Sequence, residues 1–280
     1  RYDNDTLGLF HHLGTRAVYQ TSKYDYQIYA MENLADLSTE NATVLNYLND
    51  SIDVWLGHEV DGIRNDATLH QSDAFRTVFA DHVNASSDPV FHFGEYFIST
   101  PDAKYDDYRT SPDRTGIQIL DFEFANVARA TFGDFSKTMQ DLKNTINYTA
   151  NDYTYENDAV TWLDSHDKSR LATIQPNQGI FHAALSFLLT SRGTPVIYYG
   201  TEQDMTGVHG DAGRTWTTSF SQTTTAYQLI KKLSDLRKSN PAIQYGTTAF
   251  RWDNTNVLVY ERQFYNNIVL VAINRSGTTY

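Results

Sequence analysis

The sequence contains no cysteine among its 280 residues, which excludes disulfide bonds and metal sites built on thiolates. Basic residues are also few: 22 Lys and Arg stand against 34 Asp and Glu, and the formal net charge is -12. This balance argues against a nucleic-acid partner, because phosphate binding needs clustered basic side chains. No apolar run approaches the roughly 20 residues of a transmembrane helix, so a membrane partner is not expected either.

Aromatic residues are plentiful by contrast, with 19 Tyr, 15 Phe and 4 Trp. Most of them belong in a core, and a hydrophobic content of 40% indicates a globular protein. Aromatic faces outside a core stack on sugars as well as on bases. Because a basic patch is missing, a carbohydrate is the better expected ligand.

Short apolar runs alternate with amphipathic helical patterns through the middle of the chain. The predicted strands are 60–63, 90–93, 117–122, 160–163 and 196–199. The predicted helices are 43–56, 74–83, 134–146, 180–189 and 226–237. This alternation predicts parallel strands joined by right-handed crossovers. After residue 241, strand-like segments at 250–252, 257–264 and 268–273 are separated by turn residues and predict antiparallel β-structure.

Acidic residues stand where the predicted parallel strands end, at Asp66, Glu95, Asp121 and Asp167. A doubly wound sheet would usually carry a glycine-rich phosphate-binding turn after a strand, and none of these strands has one. Enzymes built on an eight-stranded barrel keep their catalytic residues at the carboxyl ends of the strands. The positions of the acids therefore favour a barrel.

Two of these acids have surroundings that suit opposite roles. Arg64 lies two residues before Asp66, on the same side of a strand, and a guanidinium there keeps the carboxylate ionised. Glu95 stands among four aromatic residues in Phe91–Phe97, and apolar surroundings raise a carboxyl pKa. Taken singly, an ion pair at a strand end and a solvent-facing glutamate are simpler explanations. Together, one ionised and one protonated carboxyl are the machinery of glycoside hydrolysis.

The third cluster, Asp164–Asp167, reads DSHD directly after a predicted strand. By itself this pattern fits a metal site, a helix cap or a catalytic pair, and Asp164 is the candidate for a cap. A third carboxylate beside two others can stabilise an oxocarbenium-like transition state, which favours Asp167 as a catalytic group.

These segments resemble the motifs of the α-amylase family of retaining glycoside hydrolases. Asp61–Ala67 (DGIRNDA) with His70 is similar to the strand-four motif of that family. Phe93–Glu95 (FGE) is similar to its strand-five motif, and Ser165–Asp167 (SHD) to its strand-seven motif. Within the family the chain looks most like the cyclodextrin glucanotransferases and related α-amylases.

The resemblance implies an α/β fold, a partial (β/α)8 TIM barrel of strands four to eight followed by the start of an antiparallel β-domain. Residues 1–40 would be the tail of an irregular domain inserted after strand three, and residues 41–240 the barrel part. Residues 241–280 would begin a C-terminal β-sandwich domain. The first three barrel strands have no counterpart, so the chain is expected to be a fragment. The resemblance also implies a secreted protein, and we expect a monomer.

The resemblance further implies a role for each site residue. Asp66 is expected to be the nucleophile, Glu95 the general acid and base, and Asp167 the carboxylate that supports the distorted sugar. The expected substrate-binding residues are Arg64, His70, Phe97, His166, Asp211 and Arg214.

A structural calcium ion is also implied. Asn33–Leu37 is similar to the segment that supplies a calcium-binding aspartate, so Asp36 is expected to bind Ca²⁺ with the main-chain carbonyl of His70. Calcium prefers several oxygen ligands, and at least one usual ligand would lie before Arg1. The site is therefore expected to be incomplete in this chain.

Two positions depart from the glucanotransferase pattern. Glu32 stands where those enzymes carry a central aromatic residue around which the glucan curls, or Met31 or Tyr29 does if a gap falls differently. Leu69 replaces a lysine just before His70. Both changes are expected to affect the acceptor and cyclisation machinery and to leave the bond-cleaving acids intact.

We therefore predict retaining hydrolysis of internal α-1,4-glucosidic bonds in starch-like glucans. The alternative within the family is a cyclodextrin-forming transglycosylase. A non-catalytic binding relative and a non-functional fragment are further alternatives, although the binding relatives typically lack one or more of the three acids.

Overall fold

The computed structural model describes residues 2–86, 90–99 and 104–277. The chain divides into two compact units between Leu120 and Asp121. The domain boundaries predicted at residues 40 and 240 stay a prediction. Within the described ranges, no helix is long and apolar enough to cross a membrane.

Helices and short strands alternate along most of the chain. The α-helices are Lys23–Ile28 (α1), Ala42–Leu56 (α2), Asp73–Asn84 (α3), Tyr105–Arg109 (α4), Ser111–Thr115 (α5), Phe122–Phe132 (α6), Met139–Asp152 (α7), Leu171–Ile174 (α8), Gln178–Thr190 (α9), Thr225–Ser239 (α10) and Pro241–Tyr245 (α11). The strands are Gly62–Asn65 (β1), Phe91–Gly94 (β2), Gln118–Ile119 (β3), Val160–Trp162 (β4), Thr194–Val196 (β5), Thr247–Asp253 (β6), Val257–Phe264 (β7) and Asn267–Asn274 (β8).

The first unit is built on a parallel sheet in the order β1-β2-β3. Helix α3 follows β1 and is capped by Ser72, whose hydroxyl accepts a hydrogen bond from the amide of Phe75. Its apolar residues recur every three or four positions, so Phe75, Phe79 and Val83 pack together against the partly buried face of α2. The predicted alternation of parallel strands and helices is confirmed in this unit.

An ion network ties the helices of the first unit together. The Asp73 carboxylate at the start of α3 accepts from Lys23 and Arg114, each at 2.9 Å, and also pairs with Arg76. Burial opposes ionisation of Asp73, but these three cations outweigh it and lower the pKa of Asp73 to about 2. Because Lys23 belongs to α1 and Arg114 to α5, residues 1–40 contain a docked helix where the sequence predicts only an irregular segment.

The prediction for residues 117–122 is wrong over its second half. The strand is only Gln118–Ile119, and Asp121 instead caps α6, where its carboxylate accepts a hydrogen bond from the amide of Phe124 at 2.9 Å. The aromatic residues that extend the apolar run belong to the buried face of this helix. The helix predicted at 134–146 therefore begins later, at Met139, behind a capping box formed by Thr138 and Asp141.

The second unit contains a parallel pair, β4 and β5, and an antiparallel sheet in the order β6-β7-β8. The strand predicted at 196–199 lies earlier, at Thr194–Val196. It follows Gly193, whose φ of 85° and close approach to Thr161 leave no room for a side chain. The antiparallel segments predicted after residue 241 are confirmed. The five parallel strands thus lie in two sheets, and a single partial barrel stays a prediction.

A large aromatic core fills the second unit. Phe124 of α6 stacks on Phe187 of α9 with ring centroids 5.3 Å apart, and Phe187 also meets Tyr260 of β7 edge to face. The Tyr260 hydroxyl lies 2.6 Å from the hydroxyl of Thr190, so its polar end is satisfied inside the core. These contacts join α6 and α9 to the antiparallel sheet.

Candidate active site

Two acids lie side by side where β1 and β2 end. Strand β1 pairs with β2 in a parallel register that places Asn65 opposite Gly94. The amide of Glu95 donates to the carbonyl of Asn65 at 2.9 Å, and the carbonyl of Glu95 accepts from Thr68 at 2.9 Å. Asp66 and Glu95 are the residues that directly follow these paired positions, so the sheet register brings them together.

One guanidinium holds both acids. Arg64 donates from Nη1 to Oδ1 of Asp66 at 3.0 Å and from Nη2 to Oε2 of Glu95 at 2.9 Å. The contact with Asp66 is the one predicted from the spacing of two residues. The contact with Glu95 was not predicted, since it depends on how two strands pair and no local pattern signals it.

The two carboxyls differ in environment and in charge. The side chain of Asp66 is 73% exposed and that of Glu95 only 17%. A hydrogen bond with Glu95 and the positive charge of Arg64 lower the pKa of Asp66, against the partial burial that would raise it. The lowered pKa keeps Asp66 anionic, as a nucleophile requires, while Glu95 is the less exposed acid of the pair.

Two predicted substrate-binding residues of the first unit, His70 and Phe97, differ in their surroundings. Phe97 is half-exposed, and His70 packs edge to face on Tyr26 with ring centroids 5.4 Å apart. Burial lowers the pKa of His70, which keeps this imidazole neutral at physiological pH. Leu69 is only 2% exposed, so this side chain belongs to the core. The 3-10 turn Thr68–His70 turns this side chain into the protein.

A second polar group lies in the second unit, on the segment after β4. Arg214 donates from Nη2 to Oδ1 of Asp167 at 2.7 Å and from Nε to the carbonyl of His166 at 2.8 Å. The imidazole Nε2 of His166 is 3.1 Å from Oδ2 of Asp167. Asp211 starts the short turn Asp211–Gly213, which delivers Arg214. The structure thus brings His166, Asp167 and Arg214 into one cluster.

Asp164 plays a structural part next to this cluster. Its buried carboxylate accepts the amide of Leu171, the first residue of α8, at 2.6 Å and pairs with Arg129 at 3.1 Å. Burial raises the pKa of Asp164, and the two bonds oppose that effect. Asp164 thus satisfies the first amide of α8 from seven residues upstream, although the residue at the N-cap position of that helix is Arg170.

Arg170 is a member of this region that the sequence analysis missed. Its fully buried guanidinium donates to the carbonyl of Tyr199 at 2.7 Å and to that of Gly213 at 3.1 Å. It therefore links the segment of Asp167 to the turn that carries Arg214. An arginine three residues after Asp167 has no pattern of its own, and only tertiary structure reveals its partners.

The predicted calcium ligand Asp36 has a protein partner. Its Oδ2 lies 2.5 Å from Nδ1 of His11, whose Nε2 lies 2.7 Å from Glu40. Burial raises the pKa of Asp36, and the contact with His11 opposes this. In the part of the chain that the structure describes, no group of three or more His, Asp or Glu side chains is arranged to hold a metal. The described residues alone thus fall short of the oxygen set that calcium prefers.

A cavity of about 440 Å³ lies beside α2 and α3 in the first unit. Asp36 and His70 contribute to its wall, which is otherwise mainly apolar and includes Trp55 and Phe79. Asp66 and Glu95 are not part of its lining. The cavity therefore adds nothing to the chemistry of the acid pair.

Comparison with known proteins identifies relatives over the full chain. Residues 17–254 match the model of the alpha amylase catalytic domain. The cyclomaltodextrin glucanotransferase of Paenibacillus macerans is 44% identical over 279 residues, which cover 100% of this chain and 39% of the relative. That of Thermoanaerobacterium thermosulfurigenes is 46% identical over 279 residues, covering 99% of this chain and 38% of the relative.

Solved structures of glucanotransferases and α-amylases also resemble this chain. The crystal structure of CldA, described as a cyclomaltodextrin glucanotransferase with a three-domain ABC distribution, superposes with a TM-score of 0.94 at 37% identity and covers 98% of this chain and 56% of its own. An Anoxybacillus α-amylase, at 23% identity and a TM-score of 0.88, shares the fold. The chain thus spans less than two thirds of these relatives. With a family model that matches most of its residues, it belongs to the α-amylase family of glycoside-cleaving enzymes.

Proposed function

We propose that this chain carries the reaction centre of a retaining enzyme that cleaves internal α-1,4-glucosidic bonds of starch-like glucans. The observation that carries the proposal is the Asp66–Arg64–Glu95 arrangement, in which one guanidinium pairs with both carboxyls and the pKa of Asp66 is lowered. The proposal assigns the proton of the pair to Glu95. Close carboxyls favour retention, because inverting enzymes leave a gap of about 6.5–9.5 Å for a water molecule.

The two acids act in two steps. Asp66 attacks the anomeric carbon while Glu95 gives its proton to the departing glycosidic oxygen, which leaves a glycosyl ester on Asp66. Glu95, now ionised, takes a proton from the incoming hydroxyl as that oxygen displaces Asp66. Arg64 favours the anionic form of Asp66 before attack and after release, which suits both steps.

The remaining site residues take supporting roles in this proposal. Asp167 and His166 would hold the hydroxyls of the distorted sugar, with Arg214 fixing the carboxylate of Asp167. His70 and Phe97 would contact the acceptor side. Asp211 would contact the donor side together with Arg214. A secreted, monomeric protein is proposed on the family resemblance.

The test is the configuration of the first product. In the complete protein that contains this chain, we expect soluble starch to release sugars whose new reducing ends are initially α-anomers, followed by proton NMR before mutarotation equilibrates them. A β-anomer as the first product would contradict the retaining assignment. No new reducing ends and no cyclic or transfer products would contradict glycosidic cleavage altogether.

Cyclisation is a second candidate, and the names of the relatives favour it. The relatives at 44% and 46% identity are named cyclomaltodextrin glucanotransferases, and in a glucan transfer a sugar hydroxyl takes the place of water as the acceptor. Against it stands Glu32, an exposed residue with a φ of 54°, at the position proposed for a central aromatic platform. A carboxylate there holds water and offers no apolar face to a curling glucan. We therefore propose mainly linear products.

Exchanging Glu32 for tyrosine should shift the products. Glu32→Tyr in the complete protein is expected to raise the ratio of cyclic and transfer products to linear ones about three- to tenfold, since an aromatic contact contributes about 0.5–1.5 kcal/mol. Chromatography of early products measures the ratio, and Glu59→Tyr, another exposed glutamate with positive φ, is the matched control. Cyclodextrins as the dominant product of the parent would instead establish the second candidate.

We further propose that Asp36 and the carbonyl of His70 contribute to a structural calcium site completed by residues outside this chain. Asp36→Asn should lower the melting temperature of the complete protein by a few degrees, because both a ligand and the His11 contact weaken. Added Ca²⁺ should raise the melting temperature of the parent more than that of the variant. Equal responses of both proteins to Ca²⁺ and to a chelator would show that Asp36 is not a ligand.

A further inference from the structure

Trp216 is an indole left almost wholly in water. It is 92% exposed, and it lies on the segment that follows the turn Asp211–Gly213 in the second unit. Single exposed apolar residues are common on protein surfaces and need no explanation by themselves. A tryptophan is different when the backbone that carries it is held, because the protein then presents a rigid aromatic face to solvent.

The backbone on both sides of this indole is held by specific bonds. The hydroxyl of Tyr199 donates to the carbonyl of Thr215 at 2.9 Å, directly before Trp216. On the other side, the hydroxyl of Thr217 donates to the carbonyl of Ser219 at 2.8 Å. Ser219 in turn donates to the side chain of Gln203 at 2.8 Å. Little backbone entropy is therefore left to lose when a ligand covers the indole.

The same segment is joined to Asp167. Arg214, two residues before Trp216, donates to Oδ1 of Asp167 at 2.7 Å and to the carbonyl of His166 at 2.8 Å. Two residues of extended chain span at most about 7 Å between Cα atoms. Trp216 therefore belongs to the stretch of chain next to Asp167, where a bound sugar chain would extend.

We propose that Trp216 is a stacking platform for glucose units of the α-glucan that lie beyond the unit bound at Asp167. The inference rests on the proposed function and names the part of the substrate that position 216 selects. The axial C–H groups of a pyranose form an apolar face that packs on an indole ring, and the indole N–H is available to a sugar hydroxyl. The platform contacts only chains long enough to extend past Asp167, so it favours long glucans over short ones.

The experiment compares Trp216→Ala with its parent in the complete protein. The KM for maltoheptaose is expected to rise about three- to tenfold with kcat nearly unchanged, while both constants for maltotriose stay the same. Trp216→Phe should recover most of the loss. Trp252→Ala, which removes a half-exposed tryptophan from β6, is the matched control and should leave both substrates unaffected.

A binding measurement separates this inference from the proposed function. Maltoheptaose should quench part of the tryptophan fluorescence of the parent and of Trp252→Ala, and this quenching should be lost in Trp216→Ala. A parent that cleaves glucans and a Trp216→Ala variant with unchanged KM and quenching would overturn the inference and leave the proposed function intact. Equal rises of KM for both chain lengths, or a changed oligomeric state with unchanged KM, would also overturn it. A parent that neither cleaves glucans nor shows quenching would overturn both.

Discussion

Replacing Asp66 by asparagine is expected to reduce kcat/KM for soluble starch by roughly 10⁴-fold or more, which corresponds to about 5.4 kcal/mol of transition-state stabilisation. The amide is nearly isosteric but is a poor nucleophile, so the glycosyl ester no longer forms. It also carries no charge to pair with Arg64, which then holds only Glu95. A reducing-sugar assay on the complete protein measures the loss.

The matched control for this variant is Asp81→Asn. Asp81 is an exposed aspartate on α3 of the same unit. Its replacement by asparagine should leave both the activity and the melting temperature unchanged. If Asp66→Asn kept more than about a tenth of the parental kcat/KM, another group would have to be the nucleophile. A loss of activity accompanied by unfolding would be seen in the melting temperature, which we expect to remain near that of the parent because Asp66 is mostly exposed.

The second large effect concerns a buried ion pair in the second unit. Arg192 and Asp121 are both fully buried, with Nη1 2.8 Å from Oδ2, and Arg192 also donates to the hydroxyl of Thr149 at 2.6 Å. Arg192→Met should lower the free energy of unfolding by about 3–5 kcal/mol, because it leaves the Asp121 carboxylate without its counter-charge. Urea unfolding followed by fluorescence measures the change.

A double variant identifies the cause of that loss. Adding Asp121→Asn to Arg192→Met removes the uncompensated charge, while the asparagine side-chain oxygen still accepts the amide of Phe124 at the start of α6. We expect the double variant to regain about half of the lost stability. If it is less stable than Arg192→Met by the full cost of a second, independent substitution, the two residues are not coupled and the explanation is wrong.

The sequence predicts those contacts that depend on local backbone geometry, and it misses those that depend on tertiary structure. The pairing of Arg64 with Asp66 depends only on the two-residue period of a strand, and it is predicted correctly. The contact of Arg64 with Glu95 depends on the register between two strands, which no local pattern encodes. Leu69 shows the same limit, because a single 3-10 turn after β1 decides whether this side chain faces solvent or core.

Helix α6 illustrates a different failure. The apolar run at 117–122 predicts a single strand, although its last residue, Phe122, belongs to the buried face of α6. The residue that marks the boundary between the strand and the helix is Asp121, because aspartate is favoured at the N-cap position directly before a helix. The apolar run places Asp121 among the acids at strand ends, whereas its carboxylate caps α6.

Because Arg64 binds both acids, its guanidinium constrains the distance between their carboxyl groups. A guanidinium is rigid and planar, so the spacing of groups bound to its two terminal nitrogens is fixed by covalent geometry and not by the packing of loops. A lysine at position 64 would keep the positive charge but offer a single nitrogen, and the carboxyls could then drift apart. The separation of the two carboxyls therefore depends on Arg64 as well as on the strand register, and exchanging this one side chain would remove one of the two constraints.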